Sequence, residues 1–82
     1  MPYIPVVFWL VFDSPRGRCV VLQPASSLIH ARLTAALKKL EPGEFVEGHQ
    51  LDRKYVRKVP KDMIGKCLSP RQSQTLLNRL SR

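Results

Sequence analysis

Val6-Val7-Phe8-Trp9-Leu10-Val11-Phe12, the turn Asp13-Ser14-Pro15-Arg16-Gly17-Arg18 and the return Cys19-Val20-Val21-Leu22-Gln23 decide the fold of this chain. The first run is β-branched and aromatic, the composition that suits a packed, pleated strand. The turn supplies Asp and Ser to open it, Pro to set φ and Gly for the left-handed position. The return run ends at Pro24, so the stretch predicts a β-hairpin with a loop longer than the two-residue minimum. Alternation places Val6, Phe8, Leu10 and Phe12 on one face and Val7, Trp9 and Val11 on the other. A sheet with one wet face alternates apolar with polar residues, so this strand is expected to be covered on both sides. One helix covers one face; the other must meet a second helix, a second sheet or another copy of the chain. The last option is the sequence reason to expect a homodimer. Phe8, Trp9, Phe12 and Phe45 form an aromatic group that reads first as a core anchor, with Phe8 and Trp9 as candidate interface residues if the hairpin is exposed.

Outward from the hairpin, Ser26 or Ser27 can cap an amphipathic helix over Leu28–Leu40, with Ile29, Leu33, Ala36, Leu37 and Leu40 as its buried stripe. Pro42-Gly43 stops it, and Phe45-Val46 can add a short third strand. Leu51–Val59 reads as a helix more readily than as a strand. The helix sets Leu51, Tyr55 and Val59 at i, i+4, i+8 and turns Arg53, Lys54, Arg57 and Lys58 away. Lys61–Leu68 reads as a short helix weakened by Gly65. Ser69-Pro70-Arg71-Gln72 is a capping box with Pro at the first helical position, opening a last helix to about Leu80 with Leu76, Leu77 and Leu80 inward. The expected architecture is a single small α+β domain over 1–82. Its N-terminal β-hairpin packs against an amphipathic helix and is followed by a basic, mainly helical C-terminal half.

Eighty-two residues with 44% hydrophobic and 24% charged side chains describe one folded domain and exclude a disordered chain. The two cysteines, Cys19 and Cys67, do not make the pattern of a secreted disulfide scaffold; a bridge between them is geometrically allowed, but buried free thiols are the expectation. Ile4–Phe12 lacks a basic flank and a small-residue cleavage site, and falls well short of the roughly 20 apolar residues that span a bilayer. It reads as a buried strand, and the protein as cytoplasmic with no membrane span.

The charge is unevenly placed. Of a net +8, residues 50–82 hold nine Lys/Arg against two acids, a local balance of +7, and residues 1–49 hold +1. Such a segment attracts polyanions: DNA, RNA, an anionic lipid face or an acidic protein. Arg53, Lys54, Arg57, Lys58 and Lys61 lie within nine positions around Tyr55 and can track a phosphate backbone, with Lys66, Arg71 and Arg79 extending the field. On a strand, Tyr55 would instead be available for base stacking. Non-catalytic nucleic-acid binding is therefore the expected function. The alternative is a protein-interaction or adaptor module that associates through the apolar hairpin.

Other chemistries have little sequence support. Cys19, His30, His49 and Cys67 show no zinc-ligand spacing, so no metal or other cofactor is expected. There is no glycine-rich phosphate loop and no nucleophile elbow, and a Tyr55 nucleophile beside His49 and Asp52 is far less expected than a packing tyrosine. The two short helices after Pro60 have the length of a helix-turn-helix, whose second member would present Arg71, Gln72, Gln74, Thr75 and Asn78. Leu68-Ser69-Pro70-Arg71-Gln72 resembles the opening of the DNA-binding domain of some quorum-sensing regulators. There it begins the first helix of a longer module, so the resemblance carries no family assignment.

Overall fold

β1 (Val6–Ser14) and β2 (Gly17–Ala25) pair antiparallel over their full length, from Val6 opposite Ala25 to Ser14 opposite Gly17. The computed structural model describes residues 6–81; Ile4, Pro5 and Arg82, which the sequence readings include, lie outside the described residues. The fold is α+β, a four-stranded antiparallel sheet in the order β3-β1-β2-β4 with helices on its faces. β2 runs through Pro24 instead of ending there, in a stretch where its outer side has no strand partner and a missing N–H is tolerated.

β3 (Glu44–Gln50) is longer than the short strand expected around Phe45 and pairs with β1. A bulge shifts the register between Val11, opposite Glu47, and Phe12, opposite Phe45. Gly48 then lies over Leu10; a Cβ there would stand 2.8 Å from both Leu10 Cδ2 and Leu28 Cδ1. The edge strand β4 (Cys67–Leu68) pairs with β2, Leu68 opposite Val20 and Cys67 opposite Val21. Lys61–Leu68 is therefore not the expected helix. A 3₁₀ turn at Lys61–Met63 gives way to extended Ile64 and to Gly65 at φ 78°, and the chain re-enters the sheet. Without a first helix the helix-turn-helix reading fails.

Both faces of the hairpin are covered, as the unbroken apolar run demands. Phe8, Leu10, Phe12 and Val21 pack under α1 (Leu28–Leu37) through Ala31 and Ala35. Val7, Trp9, Val11, Val20 and Leu22 pack against Leu51, Val59, Leu68 and Leu76, contributed by the C-terminal half. The second face is thus filled by the same chain, and the sequence reason for expecting a homodimer falls away. Phe8 and Trp9 are 7% and 5% exposed, so neither offers the interface surface considered for the hairpin.

α1 departs most from its expected packing. Ser27 caps it, its Oγ accepting from His30 N at 3.2 Å, but the helix ends at Leu37. Lys39 takes a left-handed φ of 57°, and Leu40 N–H donates to the Ala35 carbonyl while Lys39 N–H donates to that of Ala36. This is a Schellman stop with lysine where glycine is favoured. The helix faces the sheet with its alanines, leaving Ile29, Leu33 and Leu37 at 72%, 55% and 83% exposure. Of the expected buried stripe, Ile29, Leu33, Ala36 and Leu37 lie on the solvent face, while Leu40, just past the helix, packs half-buried against the core of Phe8, Leu10 and Phe12.

Candidate nucleic-acid interface

The basic stretch follows β3 across the face of the sheet opposite α1. Leu51 and Val59 are buried anchors, and Tyr55 and Val56 pack half-buried against the same core. Between the anchors the helix is a single turn, α2 (Arg53–Val56), capped by Asp52 Oδ1, which accepts from Lys54 N at 3.1 Å. The inward and outward sides match the helical expectation although the helix itself is much shorter. Pro60 and the tight turns closed by Lys58 N–H to the Tyr55 carbonyl and Val59 N–H to that of Val56 end it early.

Arg53, Lys54, Arg57, Lys58 and Lys61 are all exposed. Among the described residues Arg53, Arg57 and Lys61 have no ion-pair partner; the Arg18–Asp13 pair belongs to the hairpin loop. Lys54 Nζ lies 5.0 Å from the Tyr55 ring centroid, a cation–π contact that holds the ammonium over the aromatic face. α2 and the turns after it thus expose five cations above the buried Leu51 and Val59.

α3 (Pro70–Leu80) lies on the same face and has the expected capping box. Ser69 Oγ accepts from Gln72 N at 3.2 Å, and Gln72 Oε1 accepts from Ser69 N at 3.0 Å. Leu76 is buried and Leu80 half-buried, whereas Leu77, expected inside, is 44% exposed, lying beside the buried line Ser73, Leu76 and Leu80 instead of on it. Gln74, Thr75 and Asn78 are exposed, and the Gln74 amide donates to Asn78 Oδ1 at 3.2 Å.

The fold divides the predicted cations into two groups. Arg53, Lys54, Arg57, Lys58 and Lys61 gather on α2 and the turns after it, beyond β3. Lys66 and Arg71 flank β4, the opposite edge of the sheet. The hairpin loop reaches the same edge: Gly17 backs onto the Pro70 ring, and Arg16 lines a cavity shared with Ser69 and Pro70. Arg16 was not among the expected binding residues, because only the β2–β4 pairing brings its loop to the start of α3.

Between α2 and the end of α3 lies a second feature that the sequence did not announce, an open cavity of about 340 Å³. Trp9, Leu51, Tyr55 and Leu77 line it together with the polar His49 and Asp52. The aromatic content of the hairpin signalled a core, but nothing local placed Trp9 and Tyr55 in one cavity; that juxtaposition is tertiary.

No family model, curated protein or solved structure matches this chain. Among the described residues no group of three or more His, Cys, Asp or Glu could hold a metal ion, and no helix is long and apolar enough to cross a membrane.

Proposed function

We propose that this protein binds nucleic acid without catalysing a reaction, using the cationic row Arg53, Lys54, Arg57, Lys58 and Lys61. The observation that carries the reading is the row itself, five exposed cations in nine residues held between the buried Leu51 and Val59. Such an array neutralises phosphates and releases counterions without having to order itself first. The adjoining cavity favours single strands: an unstacked base can enter beside Tyr55 while its phosphates meet Arg53 and Lys54. Lys66, Arg71 and Arg16 at the far edge extend the positive field.

Charge reversal tests it. Arg53→Glu with Arg57→Glu is expected to weaken binding of a fluorescent oligonucleotide more than 100-fold at fixed salt, with the circular dichroism and melting of the variant unchanged. Wild-type affinity in that variant would refute the proposed surface.

The exposed Ile29, Leu33 and Leu37 support a second reading, association with another copy of the chain. They form an i, i+4, i+8 ridge beside a shallow groove over Ala36, and a ridge of one copy fits such a groove of another. The protein-interaction alternative thereby moves from the hairpin to α1. Sedimentation of wild type against Leu33→Glu tests it: a dimer lost in the variant supports the reading, and a wild-type monomer at high concentration removes it.

A further inference from the structure

Cys19 and Cys67 stand 47 positions apart in the chain, and the fold makes them neighbours. In the β2–β4 ladder Cys67 is opposite Val21, and Cys19 lies two residues before Val21 on the same side of β2. The thiols are thus diagonal cross-strand partners on one face of the sheet. They are free and line the same cavity of about 400 Å³ beside Arg16, Ser69 and Pro70. Their surroundings differ. Cys19 is 5% exposed, with its sulfur 3.6 Å from Ser14 Oγ, whereas Cys67 is exposed on a two-residue edge strand.

We propose that Cys19 and Cys67 form a reversible intramolecular disulfide, with Cys67 as the entry thiol and Cys19 as the resolving thiol. A low-molecular-weight disulfide such as glutathione disulfide is the oxidant. The Cys67 thiolate attacks one sulfur of the reagent, forming a mixed disulfide and expelling one glutathione thiolate. The Cys19 thiolate then attacks the Cys67 sulfur, forming the Cys19–Cys67 bond and expelling the second. The two protein thiols lose two protons and two electrons, and two glutathione thiols gain them. Arg16 at the cavity mouth favours the carboxylate-bearing reagent.

Diagonal strand neighbours have Cα atoms about 7–8 Å apart, beyond the roughly 6.8 Å upper end for a disulfide, so closing the bond requires the backbone of one strand to move. β4 is suited to make it, since the edge strand is two residues long and follows the Gly65 turn. Partial burial and the adjacent Cys19 raise the Cys67 pKa above the ordinary thiol value. Less thiolate is then present at neutral pH, and the reaction accelerates as pH rises through and beyond the usual thiol range. The bond would fasten β4, the strand from which α3 departs, to β2.

The experiment incubates the native full-length protein with glutathione disulfide over a pH series and follows intact mass and peptide maps. The expected product is a monomer lighter by two hydrogens with Cys19 linked to Cys67, reduced again by dithiothreitol and melting on the order of 10 °C higher. Cys19→Ser should stop at a glutathione adduct on Cys67, and native Cys67→Ser should not react. A wild-type adduct that persists on Cys67, disulfide-linked dimers as the main product, or an oxidised form that melts lower than the reduced one would each overturn the proposal. The wild-type map alone decides it if either variant fails to fold.

Discussion

α1 and the C-terminal layer cover opposite faces of the same two strands with opposite choices of side chain. α1 meets Phe8, Leu10 and Phe12 with Ala31 and Ala35, and presents Ile29, Leu33 and Leu37 to solvent. The C-terminal layer meets Trp9 and Leu22 with Leu51, Val59, Leu68 and Leu76, and presents cations. The β1 side chains beneath α1 include two phenylalanines, which fill the space and leave room only for a helix approaching on small residues. Arg32 helps hold it, its guanidinium 3.9 Å above the Phe45 ring. On α1, apolar character alone therefore did not decide which side is buried.

Leucine truncation should separate the layers most sharply. Leu76→Ala removes a side chain that is 2% exposed and is expected to cost about 2–5 kcal/mol in chemical denaturation. Leu33→Ala on α1 is expected to cost less than about 1 kcal/mol, and comparable losses would show that α1 is buried in solution. Gly48→Ala addresses how closely α1 can sit on the sheet. Its new Cβ meets Leu10 and Leu28, and a loss of about 1–3 kcal/mol is expected in the same assay. The smallest effect should be a gain: Lys39→Gly relieves a left-handed lysine at the end of α1 and is expected to add about 0.5–1 kcal/mol, seen as a higher denaturation midpoint.

What could be read in the chain followed how local each signal was. The hairpin and the Ser69 capping box rest on neighbouring residues, and the sequence predicted both. The hairpin turn, expected to be longer than two residues, is only Pro15-Arg16, because Ser14 and Gly17 still pair across it. Leu51 and Val59 inward with Arg53 and Arg57 outward was also legible, because a single helical turn produces the same sides as a longer helix. The α1 stripe was misread because periodicity finds two apolar sides on this helix, Ala31–Ala35 and Ile29–Leu33–Leu37, and cannot rank them without the sheet. Cys67-Leu68 was misread as helix because a two-residue strand has no period; it exists only through its partner β2. Arg16 beside α3 and the thiol pair depend on that same tertiary pairing, and the aromatic cavity on the packing of α2 and α3 over β1.

A salt series of oligonucleotide binding tests the proposed phosphate contacts of the cationic row most directly. If Arg53, Lys54, Arg57, Lys58 and Lys61 each meet a phosphate, log affinity should fall against log salt with a slope of roughly −4 to −5 on duplex DNA and roughly −3 to −4 on single strands. Tighter binding to single strands at low salt would match the cavity beside Tyr55. Absence of binding to duplex, single-stranded DNA and RNA at low salt would contradict the account.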